Sequence, residues 1–204
     1  MHGWLHSPPG ELAIQRGEAE GERAPGIIGR WIGKQLGGDA DGDGKPDAPV
    51  PMVLLVHGGP WARDDYGYSG YDQWLANRGY AVLQVNYRGS GGFGKAFEAM
   101  AYGQWAQVIM NDILDGTLWA IKQGDADSDR TCLFGGSFGG YASMTAPARE
   151  PGLFKCAFGY VGAYSADVQM KLSDTSKRED GMKYLLRALG GTKSEQDAMS
   201  PVNH

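Results

Sequence analysis

The chain has 204 residues, 42% of them hydrophobic, which is enough for one domain with a sizeable core and shows no second composition regime that would call for another. A formal net charge of −5, with no cluster of Lys and Arg, excludes the basic stripe that nucleic acid or an anionic membrane surface requires. No run approaches the ~20 apolar residues of a membrane span, and the opening "MHGWLHSPPG" lacks a signal-peptide pattern, so the reading is a soluble chain, cytoplasmic or periplasmic, of open oligomeric state.

In chain order, an edge strand is expected near Gly3 to His6, followed at about 10–50 by a glycine-, proline- and charge-rich loop insertion with one apolar patch, "IIGRWIGKQL". Inside it, "DADGDGKPD" puts Asp39, Asp41, Asp43 and Asp47 at positions one, three, five and nine of a calcium loop, with Gly44 at the sixth. Position twelve falls on Val50 instead of a bidentate Glu, and a solvated acidic linker would look much the same. No cofactor is required by any other pattern in the chain.

"PMVLLVHGGP" and "YAVLQVNYRG" are short, nearly continuous apolar runs ending in glycine, the pattern of parallel strands buried on both faces. Between them "YDQWLANRG" places Tyr71, Trp74, Leu75 and Arg78 at helical spacing. A longer helix is expected over roughly 104–123, with Trp105, Val108, Ile109, Ile113 and Trp119 as its apolar stripe and Asn111, Asp112 and Asp115 off it. "RTCLF" and "FKCAFGYVG" read as third and fourth strands around a helix. Cys132 and Cys156, each in an apolar run, read as two buried thiols. The alternation predicts an α/β fold with a doubly wound, mostly parallel sheet.

Gly135, Ser137 and Gly139 form GxSxG where the third strand meets its helix, the setting of a nucleophile elbow. Such a turn holds the hydroxyl above the sheet and points the helix N-terminus, with the Phe138 N–H first, at the place where an oxyanion would form. "HGGPW" follows the first core strand. There Gly58 and Gly59 let the main chain approach a substrate oxygen, with Gly59 as the expected second donor, and His57 reads as a histidine that holds the loop. The loops "WARDDYGYSGY" and "NYRGSGGFG" should border the same site.

"VLLVHGGPWARDDYGY", "QWLANRGYAVLQVNYRGSGGFGKAF", "GGSFGGYA" and "EPGLFKCAFGYVG" together resemble the catalytic domain of the prolyl oligopeptidase family of serine peptidases, in particular its acylaminoacyl-peptidase and dipeptidyl-peptidase-like members. The resemblance implies an α/β-hydrolase fold, a Ser137 nucleophile, oxyanion donors at Gly59 and Phe138, and hydrolysis of short peptides or acylaminoacyl bonds. It also implies a triad in the order Ser, acid, His. Only His204 follows Ser137, at the chain end, where it reads as a loop or helix-start residue, and Asp167, Asp174, Glu179 and Asp180 read as a solvated face. The expectation is therefore a partial α/β-hydrolase domain over 1–204, incomplete at its C-terminal end, without the propeller usual in the family and inactive alone. A carboxylesterase or lipase on the same fold, and a non-catalytic binding domain, are the alternatives.

Overall fold

The computed structural model describes residues 46–204, together with the backbone of three short strands earlier in the chain. Among the described residues seven strands form one sheet: β1 (Trp4–Ser7), β2 (Gly10–Glu11), β3 (Gly29–Ile32), β4 (Val50–Val56), β5 (Ala81–Val85), β6 (Ala126–Gly136) and β7 (Cys156–Tyr160), in the spatial order β2-β1-β3-β5-β4-β6-β7. The pairs β4–β5, β4–β6 and β6–β7 are parallel, as the four apolar runs predict, while β3 pairs antiparallel with β5. The stretch read as a loop insertion thus supplies β2 and β3. With glycine at its start and four residues in all, β3 is too short for periodicity to reveal.

From β4 the chain crosses to β5 on one side and later returns to β6 on the other, so the strand order reverses at β4. In open α/β sheets the crevice at the carboxyl ends of the strands beside such a reversal is where ligands bind. The register pairs Val56 at the end of β4 with Gly135 near the end of β6. The loop that starts at His57 and the turn at Ser137 are therefore neighbours because the sheet makes them so.

Alternation within the strands divides the core. Met52, Leu54, Val56, Leu83, Val85 and Leu133 meet α3 (Met110–Lys122) and α4 (Phe138–Arg149) in the main core, while Val53 and Val82 belong to a small cluster with Leu75 of α1 (Gly70–Ala76). A π-helical turn, Trp105–Ile109, leads into α3, so the expected long helix is present with an irregular first turn. The remaining α-helices among the described residues are α2 (Lys95–Ala99), α5 (Ala166–Leu172), α6 (Glu179–Leu189) and α7 (Lys193–Ala198).

Two sequence expectations are corrected. Cys132 and Cys156 are not buried thiols but a disulfide, because the parallel register of β6 and β7 sets them directly opposite with Cα atoms 4.7 Å apart. Asp112 does not lie on the polar side of α3. Its side chain is fully buried, paired with Arg88. The helical spacing of Tyr71, Trp74 and Leu75 is that of α1, on which Tyr71 and Trp74 are more than half exposed and, with Val53, Phe134 and Phe158, line an open apolar groove of about 670 Å³.

Candidate active site

Ser137 sits between the last residue of β6 and the first of α4 with φ 55° and ψ −118°, a left-handed conformation that a non-glycine residue adopts only under constraint. The constraint is visible on both sides. Its N–H donates to the Tyr160 carbonyl at 3.1 Å, tying the turn to the end of β7, and its own carbonyl accepts from Tyr141 N–H in the first turn of α4. Gly139 is required by close approach, since a Cβ there would collide with the Val56 carbonyl oxygen. Gly135 likewise faces the Gly139 backbone. Ser137 itself is exposed, and the buried Phe138 carries the first free N–H of α4.

The loop after β4 runs beside this turn. A Cβ built on Gly58 would lie 3.6 Å from the Ser137 Cβ. Gly59, with φ 119°, takes a conformation open to glycine, and the Gly59–Pro60 bond is cis. Three successive carbonyls of this loop are each held by a side chain. The Tyr87 hydroxyl donates to His57 O at 2.9 Å, the His57 ring Nδ1 to Gly58 O at 2.8 Å, and the Tyr184 hydroxyl to Gly59 O at 3.4 Å. The C=O and N–H of a trans peptide point in opposite directions, so drawing the Gly58 carbonyl onto the ring turns the Gly59 N–H away from it. Gly59 is exposed, and among the described residues its N–H donates to no backbone carbonyl.

His57 is a neutral group. Burial lowers its pKa to about 4, against a smaller opposing effect of the bond to Gly58. Its ring stacks on Tyr87 at 4.3 Å between centroids, and Nε2 meets the Ser90 hydroxyl at 2.9 Å. Ser90 belongs to the loop after β5, which Asp112 anchors by accepting from the Arg88 N–H at 2.7 Å and from its guanidinium. Those bonds raise the Arg88 pKa and keep it charged. The two loops expected to border the site do meet here: Gly91 N–H donates to Ala62 O, and Trp61 packs against Tyr102, Trp105 and Tyr184.

Sequence reasoning gave no individual site role to Ser90, Tyr87, Asp112 or Tyr184. Each is a common residue type in a loop or on a helix, and only the fold brings Ser90, Tyr87 and Tyr184 onto the HGGP loop and Asp112 onto Arg88 of the loop beside it. Of the acids after β7, Asp174, Glu179 and Asp180 are exposed and Asp167 is half-buried, and they pair with Lys177, Lys183, Arg178 and Lys171 respectively. The His204 ring is 3.3 Å from the Ala198 carbonyl, and no histidine among the described residues hydrogen-bonds Ser137. Of the calcium-loop aspartates, Asp39, Asp41 and Asp43 lie outside the described residues. Asp47 is exposed, and Val50 is a buried residue of β4. Among the described residues no helix is long and apolar enough to cross a membrane.

Comparison with known proteins places this geometry in a family. The model of the prolyl oligopeptidase family matches residues 66–204, and the chain belongs to that family. It is 58% identical over 124 residues to dipeptidyl aminopeptidase BIII of Pseudoxanthomonas mexicana, which covers 61% of this chain and 18% of the relative. Dipeptidyl peptidase family member 6 of Caenorhabditis elegans is 46% identical over 117 residues, covering 57% and 16% respectively. Among solved structures, a Mycobacterium tuberculosis puromycin-hydrolyzing peptidase superposes with a TM-score of 0.71 at 28% identity, over 76% of this chain and 24% of the other. The chain therefore spans less than a fifth of the length of these two curated relatives, and its fold is that of the α/β-hydrolase peptidases.

Proposed function

We propose that this chain carries the nucleophile and the oxyanion hole of a serine peptidase acting on short peptides or acylaminoacyl bonds. The observation that carries the reading is the backbone of Ser137: a strained, exposed serine between a parallel strand and a helix, beside a glycine loop whose carbonyls are all turned to protein donors. In the reaction Ser137 Oγ attacks the substrate carbonyl carbon while its proton passes to a general base. The negative charge that develops on the carbonyl oxygen is met by the N–H groups of Gly59 and Phe138, the latter reinforced by the N-terminal end of α4. Collapse of the tetrahedral intermediate expels the amine, which takes that proton, and leaves an ester on Ser137 for water to hydrolyse.

The base is not among the histidines placed here. His57 has both ring nitrogens engaged beneath the loop and a pKa too low for a base that must also hold a proton near neutral pH. The β1 backbone, which includes His6, is four strand spacings from β6, roughly 19 Å away. We infer that the triad acid and histidine belong to polypeptide outside this chain and that the chain alone turns over substrate negligibly. A positioned general base contributes ~10²- to 10⁴-fold. The test compares the purified chain, its Ser137→Ala variant and the whole enzyme on a dipeptidyl p-nitroanilide. The chain and the variant should be equally inactive and the whole enzyme active. Turnover by the chain that disappears in Ser137→Ala would place the base within it. If the whole enzyme hydrolyses p-nitrophenyl esters but no amide, it is a carboxylesterase on this fold; no turnover of either would favour a binding domain.

A further inference from the structure

We propose that Ser90 is a positioning residue for the oxyanion hole, acting on Gly59 through His57; the inference rests on the reading of the Gly59 N–H as an oxyanion donor. Both ring nitrogens of the imidazole are held, Nδ1 by the Gly58 carbonyl and the Tyr87 hydroxyl, the latter at 3.0 Å, and Nε2 by the Ser90 hydroxyl. Nδ1 lies 2.8 Å from the Gly58 carbonyl, which can only accept, so Nδ1 carries the proton. In a neutral ring Nε2 is then an acceptor, and the Ser90 hydroxyl 2.9 Å away is its donor. With the Nδ1 contacts alone the ring is hydrogen-bonded at one edge and can swing in its plane over Tyr87 about Nδ1, taking the Gly58–Gly59 peptide plane with it. The Nε2 contact removes that freedom.

Ser90 is suited to the task because it is itself immobile. It is fully buried, its own N–H donates to Tyr87 O at 2.9 Å, and the loop that carries it is clamped two residues earlier by Asp112 on Arg88. Tyr87, at the start of the same loop, stacks on the imidazole and holds the His57 carbonyl. The loop after β5 thus acts as a rigid template on which the loop after β4 is shaped. Alanine at position 90 would leave the Nε2 lone pair without its donor and the ring hydrogen-bonded only through Nδ1.

Side-chain and amide ¹⁵N NMR on the labelled chain tests this. In the wild type the His57 proton should be on Nδ1, with the Nε2 resonance displaced by hydrogen bonding from that of a free imine nitrogen. In Ser90→Ala the Nε2 resonance should move toward the free position. In a weakly aligned sample the residual dipolar coupling of the Gly59 N–H, which reports the direction of that bond, should change beyond error while those of Val53, Leu54 and Leu133 hold. An unchanged Gly59 coupling in Ser90→Ala overturns the proposal. So does a wild-type ring protonated on Nε2, a result that needs no variant to fold. Because the readouts are a ring and an amide, not turnover, failure of Ser137 to act as a nucleophile would leave them untouched. A negative result here would leave the peptidase reading standing, with Gly59 aimed by other contacts.

Discussion

His57 stands in a loop where a catalytic base would be a tempting assignment, and its surroundings decide against it. A ring kept neutral by burial, with a pKa near 4, makes folding pH-dependent in a definite sense. The unfolded chain binds the proton at about 6.5, the folded one only near 4, so the stability due to the neutral ring is complete above 6.5 and is lost as pH falls from there towards 4. Between pH 7 and pH 5 this amounts to about 2 kcal/mol. Urea denaturation at the two pH values should show the wild type losing that much more stability than His57→Gln; equal losses would mean that the ring is not held neutral. The serine of the elbow was legible because GxSxG between a strand and a helix has few other uses. The loop histidine was legible from its motif. Ser90 was not, because a serine among glycines reads as an ordinary turn residue until the strand order sets it against a ring nitrogen.

At the scale of elements, the four parallel strands were readable because burial on both faces leaves continuous apolar runs, whereas β3 was hidden in a glycine-rich stretch. Pairing of Cys132 with Cys156 depends on register, which periodicity does not give. The disulfide closes a loop across 24 positions that contains the whole of the elbow and α4. Cross-linking a loop of that order stabilises by about 3 kcal/mol, so dithiothreitol, or Cys132→Ser with Cys156→Ser, should lower the unfolding free energy by roughly that amount. Unchanged denaturation curves under reduction would contradict the bridge. Asp112 was misplaced for a comparable reason: helix periodicity marks a side as polar without showing that a guanidinium from another loop fills it. Its carboxylate is fully buried and Arg88 is 17% exposed. Asp112→Ala should therefore cost about 3 kcal/mol, the low end for breaking a buried pair, measured by the same denaturation. A loss below 1 kcal/mol would show that the anchor of the Ser90 loop is dispensable.

Across the whole molecule, the two faces of the sheet differ. α3 and α4 cover one; among the described residues only α1 lies on the other, leaving the groove of Trp74, Phe134 and Phe158 open. Parallel sheets are ordinarily buried on both faces, so a bare groove of this kind is an adhesive surface in water. The isolated chain should enhance the fluorescence of anilinonaphthalene sulfonate, and Trp74→Ser with Phe158→Ser should remove most of that signal at unchanged secondary structure. A signal indifferent to both substitutions would locate the apolar surface elsewhere. The crevice side is arranged differently, with the elbow and the HGGP loop brought together by the Val56–Gly135 register at the sheet's reversal point. At this junction Ser137 is placed to act as the proposed nucleophile. The most direct test of that role is to treat the whole enzyme with a fluorophosphonate and locate the adduct by peptide mass spectrometry. Stoichiometric labelling of Ser137, lost together with activity in Ser137→Ala, is the expected result; an active enzyme labelled on a different serine would contradict it.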